Sequence, residues 1–190
     1  MASAYHINGR SPSRRRNSGF TLVEVIMVTA ISSFVFAGVL SAYTFLGRGL
    51  VREGNAENLE SSTRVAIYYF TRDLSAASSI TTAGTASLVV NVGPSTSYTT
   101  ATYTYDSTQG TLTRNSGGAT TTLLRGISTF TFSYFDLWGS TPSPAQPGTT
   151  WIKQASMSYT ATAGVAASGA QSKFSMTSPQ VVMKNKGLLQ

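Results

Sequence analysis

The stretch of sequence that decides the fold runs from position 19 to position 47 and reads GFTLVEVIMVTAISSFVFAGVLSAYTFLG. Glu24 is its only charged residue, and the 23 residues from Val25 to Gly47 are all uncharged. At about 1.5 Å per residue, a helix of that length spans roughly 34 Å, which is enough for a hydrocarbon layer of about 30 Å. The stretch therefore predicts a membrane-spanning helix over residues 20–47.

The polar segment before this helix, residues 1–19, sets the expected orientation. It contains no acid, and its four basic residues are Arg10, Arg14, Arg15 and Arg16. Basic residues beside a span stay in the cytoplasm, so we expect one pass through the inner (cytoplasmic) membrane, with lipid around the helix and residues 48–190 exported. A secretory signal has a shorter apolar core and then a small-residue cleavage site. No such site follows Leu46, so we expect the span to be retained.

Glu24 is the residue that does not fit a plain anchor. A carboxylate inside a membrane segment costs a few kcal/mol, so it is a functional candidate by default. The alternative is that Glu24 lies near the cytoplasmic interface and only extends its carboxylate into water.

Residues 14–25, RRRNSGFTLVEV, resemble the N-terminal signature of type IV prepilins and type II secretion pseudopilins. The resemblance implies that residues 1–19 are a leader, that a prepilin peptidase cleaves between Gly19 and Phe20, and that it methylates the new amino group of Phe20. Gly19 suits a narrow cleavage site because it has no side chain. The resemblance also implies that Glu24 meets the Phe20 amino group of a neighbouring subunit in a filament, which offsets the desolvation of both charges.

Beyond the span, apolar residues return at steps of three and four, which predicts that the helix continues through residues 48–80 and presents one apolar face. We expect one helix from about Phe20 to Ala77, ended by Ser78–Gly84, and the glycines between 47 and 54 would permit a bend. The predicted apolar face consists of Leu59, Thr63, Ala66, Ile67, Phe70, Leu74 and Ala77. Acidic residues and Arg64 lie away from that face, and Arg72 and Asp73 are interpreted as a solvated or locally paired surface set.

Residues 81–190 are predicted to form a β-rich globular domain. Between Thr81 and Thr122, 19 of 42 residues are Ser or Thr, a composition that favours strands over helices. Predicted strands are Ser87–Val92, Thr96–Tyr105, Thr111–Arg114, Ala119–Leu124, Ile127–Phe135, Trp151–Tyr159, Ser172–Met176 and Pro179–Met183. The fold class is therefore α+β, a pilin-like long helix packed on an antiparallel sheet.

Three later segments resemble J-type minor pseudopilins and W-type minor pilins: Tyr68–Leu74, Tyr103–Arg114 and Leu123–Asp136. The chain lacks the paired cysteines of many major pilins and the Asp-rich calcium loop of major pseudopilins, which favours a minor subunit. The resemblance implies a structural subunit at the tip of a type II secretion pseudopilus; a minor pilin of a type IV pilus is the alternative. Implied partners are the prepilin peptidase, other pilin or pseudopilin subunits, and an inner-membrane assembly platform.

The charge balance at first suggests a nucleic-acid partner, because 14 Lys and Arg against 7 Asp and Glu give a net charge of +7. Removing the four basic residues of the leader from those 14 leaves 10 against 7, a net charge of +3. We therefore expect no nucleic-acid binding.

Composition also restricts catalysis. The chain has no Cys and a single His, His6, so thiol catalysis, an ordinary zinc site and a His-based triad are excluded, and we expect no enzyme, catalytic residue, metal or cofactor. A third class, a membrane-anchored exported ligand-binding β module, would use aromatic rings for stacking and cations for phosphate. Its candidate residues are Tyr98, Tyr103, Tyr105, Trp138, Trp151, Arg114, Arg125, Lys153 and Lys173.

Overall fold

The computed structural model describes residues 19–141, 148–164 and 171–186. The predicted leader lies outside these residues except for Gly19. The described chain is one helix followed by nine strands, α1 and β1 to β9. It divides into two compact units, Met1–Phe45 and Leu46–Gln190. This is the predicted α+β class, a long apolar N-terminal helix followed by antiparallel sheets.

Helix α1 runs from Leu22 to Ser75 and is continuous through the glycines between 47 and 54. It includes an 18-residue window of mean hydropathy 2.2, so by length and composition it is able to cross a membrane. Its first buried residue is Leu59. The C-terminal carbonyls of the helix are capped from far along the chain, because the Lys184 N–H donates to Ser75 O and the Asn185 side chain to Ala76 O.

The first sheet is an antiparallel meander of five strands in chain order. Its strands are β1 (Ala77–Ala83), β2 (Ser87–Val92), β3 (Thr99–Asp106), β4 (Thr111–Ser116) and β5 (Ala119–Leu124). The β4–β5 turn is Gly117–Gly118, and both glycines have positive φ, as a tight two-residue hairpin requires.

The second sheet is antiparallel and is centred on β7. Its strands are β6 (Ile127–Phe135), β7 (Gln154–Ala163), β8 (Ser172–Thr177) and β9 (Val181–Val182). Strand β6 pairs along one edge of β7, and the short β9 pairs with Gln154 and Ala155, the first two residues of β7. Gly126, at φ +70°, makes the turn into β6 in close contact with the Thr162 carbonyl.

The core of the Leu46–Gln190 unit lies where α1 meets both sheets. Phe70 of the helix stacks on Phe132 of β6 with ring centroids 6.0 Å apart, and its edge meets Tyr103 of β3 at 6.1 Å. All three rings are at most 2% exposed. Six members of the predicted apolar face are buried: Leu59, Thr63, Ala66, Phe70 and Leu74 on α1, and Ala77, which is the first residue of β1. Thr63 is accommodated there because its hydroxyl donates to Leu59 O and accepts from Tyr159.

The predicted strands β2, β5 and β6 have the observed bounds, but several other expectations were wrong. Residues 78–84, expected to be a helix-ending loop, belong largely to β1, whose pairing with β2 is interrupted by two register shifts. The strand predicted as Trp151–Tyr159 is β7, which begins only at Gln154 because residues 149–152 form a turn. It continues to Ala163. After β9, Lys186 Nζ donates to the carbonyls of Thr149 and Ile152; residues 187–190 lie outside the described part.

Candidate processing and assembly site

The N-terminus of α1 is closed by a reciprocal capping arrangement between Thr21 and Glu24. The Thr21 hydroxyl accepts a hydrogen bond from the Glu24 N–H at 3.3 Å, and Glu24 Oε2 accepts from the Thr21 N–H at 3.1 Å. The Thr21 hydroxyl also donates to Oε2 at 3.1 Å. This is a capping box, in which two backbone N–H groups at the start of a helix are satisfied by side chains. Thr21 was not singled out by the sequence reasoning, although the spacing Thr-x-x-Glu is the signal for this cap.

Glu24 therefore lies in the first helical turn, where a carboxylate also interacts favourably with the helix dipole. Two hydrogen bonds and the dipole offset part of the cost of placing this charge in a membrane. Phe20 and Glu24 line a shallow apolar groove together with Val25, Val28 and Thr29. The structure thus brings two of the three predicted site residues together on one side of the helix start.

Gly19 and Phe20 precede the helix and are exposed. A Cβ placed at Gly19 would meet no atom within 4 Å, and Phe20 is 84% exposed. The bond between them is thus outside regular structure and open to a peptidase. The predicted cleavage there, the methylation of Phe20 and the assembly role of Glu24 remain predictions.

The first half of α1 exposes its apolar residues on every side. From Leu22 to Leu50 no described hydrophobic side chain is buried, and Phe34 and Phe45 are 82% and 77% exposed. Apolar surface of this extent requires cover by lipid or by other helices.

A second polar cluster, away from the helix start, ties α1 to the first sheet. Asp73 is 1% exposed; it accepts a hydrogen bond from the Tyr103 hydroxyl at 2.8 Å and from Arg114 Nε at 2.6 Å. Arg72 approaches the other carboxylate oxygen at 2.9 Å. The interpretation of Arg72 and Asp73 as a surface set was therefore wrong for Asp73, because its main partner lies 41 residues away on β4.

Electrostatics in this cluster follow from burial and from the Asp73 charge. Burial raises the pKa of the Tyr103 hydroxyl, and the neighbouring carboxylate raises it further. Burial acts to lower the pKa of Arg114, but its hydrogen bond to Asp73 and the carboxylate charge together raise it above the usual value. Tyr103 therefore stays neutral and Arg114 charged, and the cluster holds α1 to the first sheet through Asp73.

The aromatic and basic residues considered for ligand binding do not form one accessible set. Tyr103 and Lys153 are buried, and Arg114 is engaged by Asp73, whereas Tyr98 and Trp138 are exposed. Asp106 and Asp136, two acids of the β-rich domain, are occupied in turns. Asp106 Oδ1 accepts the N–H groups of residues 108 and 109, and Asp136 Oδ1 those of residues 138 and 140. Within the described ranges, no three His, Cys, Asp or Glu side chains are grouped to hold a metal.

Comparison with known families adds one finding. Residues 14–40 match the family described as the prokaryotic N-terminal methylation motif. This range contains the predicted cleavage bond, Glu24 and the first part of α1. No curated protein matches the chain.

The chain thus carries the N-terminal motif of type IV pilin-like proteins, and the match supports a pilin-like structural subunit that a prepilin peptidase processes and that assembles with other pilin subunits. The motif and the apolar helix together indicate that the N-terminal helix anchors the protein in a membrane. The match ends at residue 40, so the J-type or W-type resemblance of the later segments stays a prediction.

Proposed function

We propose that this chain is a minor pseudopilin of a type II secretion system. The peptidase cleaves it between Gly19 and Phe20 and methylates Phe20, and the mature subunit joins other minor subunits at the tip of the pseudopilus. The observation that carries the proposal is the methylation motif at residues 14–40, with its glutamate placed in the first turn of an apolar helix that bears no buried residue before Leu59. Before assembly the subunit is held by α1 in the inner membrane, with the β-rich domain exported.

The local geometry supports each processing step. Gly19 has open space around it and no side chain, so an extended backbone can enter the cleavage site of the peptidase. Cleavage creates a cationic amino group at Phe20, beside the groove that holds Glu24. A neighbouring subunit that supplies such an amino group gives Glu24 an opposite charge in a water-poor environment, where a charge-assisted hydrogen bond is strongest.

Intact mass measurement and N-terminal sequencing of the membrane-extracted protein test the processing. The expected product begins at Phe20 and carries one methyl group on its amino nitrogen. A matched control is the variant Gly19→Val, in which a branched side chain blocks the peptidase and the full mass is retained. A wild-type protein that keeps residues 1–19 would refute the proposal.

The proteins that this subunit contacts in the cell show whether it belongs to a type II secretion system or to a type IV pilus. A type IV pilus minor pilin would use the same motif and the same anchor, so affinity purification after in-cell cross-linking separates the two systems. Recovery of a secretion channel and assembly platform supports the pseudopilin assignment. Recovery of a retraction ATPase and a pilus channel would replace it with the pilus assignment.

A further inference from the structure

Strand β5 has one unpaired edge. The first sheet is ordered β1 to β5, so β5 pairs with β4, and within residues 19–141, 148–164 and 171–186 no strand lies along its other side. In an antiparallel ladder, every second residue points its N–H and C=O away from its partner strand. Counted from the Ser116–Ala119 pair that closes the two-residue turn, these residues are Thr120 and Thr122. Residues 119–122 are exposed, so their outward backbone groups are open to a further strand.

Edge strands β1, β6 and β8 are protected, whereas β5 is not. On β1 the Ile80 carbonyl accepts from the Thr149 hydroxyl, and on β6 the Phe132 N–H donates to the Thr85 carbonyl. Strand β8 carries Lys173, and natural proteins block exposed edges with such charges or with proline. Residues 119–124, ATTTLL, contain neither and are rich in β-branched threonine, which favours strand pairing.

A groove of about 400 Å³ lies beside the end of this edge, between α1 and the turn from β5 into β6. Its apolar lining includes Leu59, Leu123 and Leu124, all of which are buried. Its polar lining consists of Asn58, Ser62, Thr122, Arg125 and Thr162. An apolar groove of this size with a few polar groups is typical of a binding site. It supplies space for side chains next to the free backbone edge.

Arg125 gives this groove a positive charge. Its side chain is exposed and makes no ion pair with any other residue of the described ranges. Arg114, on the neighbouring strand β4, differs because Asp73 compensates it. The Arg125 guanidinium is therefore available to a carboxylate from outside the chain, and such charge-assisted hydrogen bonds are strong.

We propose that the edge of β5 is a docking site for an extended segment of a different protein, which adds to the first sheet as one more antiparallel strand. Free backbone groups at alternate residues are satisfied by a strand. The apolar lining fits aliphatic side chains at alternate positions of that strand. Arg125 follows β5, so in an antiparallel pairing the carboxylate lies at the N-terminal end of the added segment.

A second copy of β5 does not supply this chemistry. Residues 119–125 carry no carboxylate, so two β5 edges paired with each other would leave both Arg125 side chains uncompensated. The occupant is therefore a segment of another protein. Strand addition at β5 needs neither cleavage before Phe20 nor its methylation, so it stands apart from the proposed function.

Binding of a synthetic peptide to the full-length protein in a mild detergent tests this site. The probe is the hexapeptide DVTVTV, acetylated and amidated, and the readout is the amide NMR spectrum of the labelled protein. We expect the N–H groups of Thr120 and Thr122 to shift and to exchange more slowly with water. The N–H of Thr121, which is paired with Arg114, should change least. The peptide KVTVTV should bind about ten-fold more weakly, because it lacks the charge-assisted hydrogen bond.

Backbone pairing is tested with N-methylated probes. Methyl groups on the amide nitrogens of either the two threonines or the three valines remove the donors on one side of the peptide strand. One of these two probes should lose binding and the other should keep it. Thr122→Pro, which removes an outward N–H and leaves the ladder with β4 intact, should also lose binding. The methylated probes use the wild-type chain, so they decide the question even where that variant does not fold.

Charge reversal tests the Arg125 contact. Arg125→Glu should reverse the preference, so that KVTVTV binds about ten-fold more tightly than DVTVTV. The matched control, Lys184→Glu, makes the same charge change at an exposed residue after β9 and should keep the wild-type preference. Equal binding of DVTVTV and KVTVTV to the wild-type chain, equal binding of the two methylated probes, or NMR shifts confined to residues outside β5 and the groove would overturn the docking site.

A photo-cross-linking amino acid at Thr120, in secreting cells, identifies the natural occupant. A cross-link to a segment of another protein in which an acid precedes alternating aliphatic residues supports the docking site. A cross-link to β5 of a second copy, or the absence of a cross-link to another protein, overturns it. Phe20 methylation, measured on the same samples, tests the proposed function separately. An unmethylated chain that binds DVTVTV as expected refutes the proposed function and leaves the docking site standing.

Discussion

Replacing Asp73 by Asn tests whether the buried cluster holds α1 to the first sheet. The carboxylate is 1% exposed and compensates Arg114, whose side chain is only 12% exposed. Removing one partner of a buried pair leaves the other charge uncompensated, which typically costs 3–5 kcal/mol. Because Asn keeps the side-chain volume and an acceptor for Tyr103, we expect a loss of about 3 kcal/mol in the free energy of unfolding.

Urea unfolding of the full-length protein in a mild detergent, followed by tryptophan fluorescence, measures this loss. With an m-value of about 2 kcal/mol per M, the midpoint should fall by about 1.5 M. The matched control is Glu60→Gln, which breaks an ion pair whose two side chains are 77% and 55% exposed and should leave the midpoint unchanged within error. Adding Arg114→Gln to the Asp73→Asn variant should recover part of the loss, because the uncompensated cation is gone. A midpoint for Asp73→Asn equal to that of the control would refute the role of the Asp73 cluster in holding α1 to the first sheet.

Glu24→Ala should still be cleaved, but we expect little of it in filaments; sheared-filament immunoblots at wild-type levels would contradict the pairing. Gly126→Ala should cost about 1–3 kcal/mol, because its Cβ would collide with the Thr162 carbonyl at positive φ, whereas Gly117→Ala, with open space around it, should cost less in the same urea assay. Burial and the charge of Lys153 lower the pKa of Lys186 to about 8, so the unfolded chain binds more protons above that pH and stability should rise from about pH 8 toward pH 10. Lys186→Gln should flatten that rise, and an unchanged profile would exclude Lys186 as its source.

The parts of the fold that were predictable are those specified by local pattern. The uncharged run after Glu24 predicted the helix, and Ile127–Phe135, where Phe130, Phe132 and Tyr134 alternate with Ser and Thr, was predicted as a strand with the observed bounds of β6. Strand β1 was missed because its Ser- and Thr-rich sequence has no clear alternation, and its pairing with β2 contains two irregularities. The division of the strands into two sheets depends on which edges pair, and this information is not local.

The candidate functional residues likewise fall into those that a local sequence pattern predicted and those that depend on long-range pairing. Gly19, Phe20 and Glu24 were found from one short motif because their roles depend on spacing along a single segment. Asp73 was misjudged because its burial is produced by Tyr103 and Arg114, which reach it only after the sheet has formed. The buried state of a charged residue thus depends on long-range pairing, whereas a processing motif does not.

The capping box also bears on how Glu24 can serve both a stored subunit and an assembled one. In the single chain its Oε2 atom satisfies Thr21, so the carboxylate is not left without partners in the membrane. Losing a cap of this kind costs about 1 kcal/mol, whereas a hydrogen bond to a charged group in a water-poor environment contributes about 1.5–3 kcal/mol. The proposed transfer of Glu24 from its own cap to a neighbour's amino group is therefore favourable. Thr21→Val, which removes the hydroxyl but keeps the backbone N–H, should then impair storage of the subunit in the membrane more than its final incorporation. Pulse-chase comparison of the two pools would show wild-type levels of both if the cap had no role.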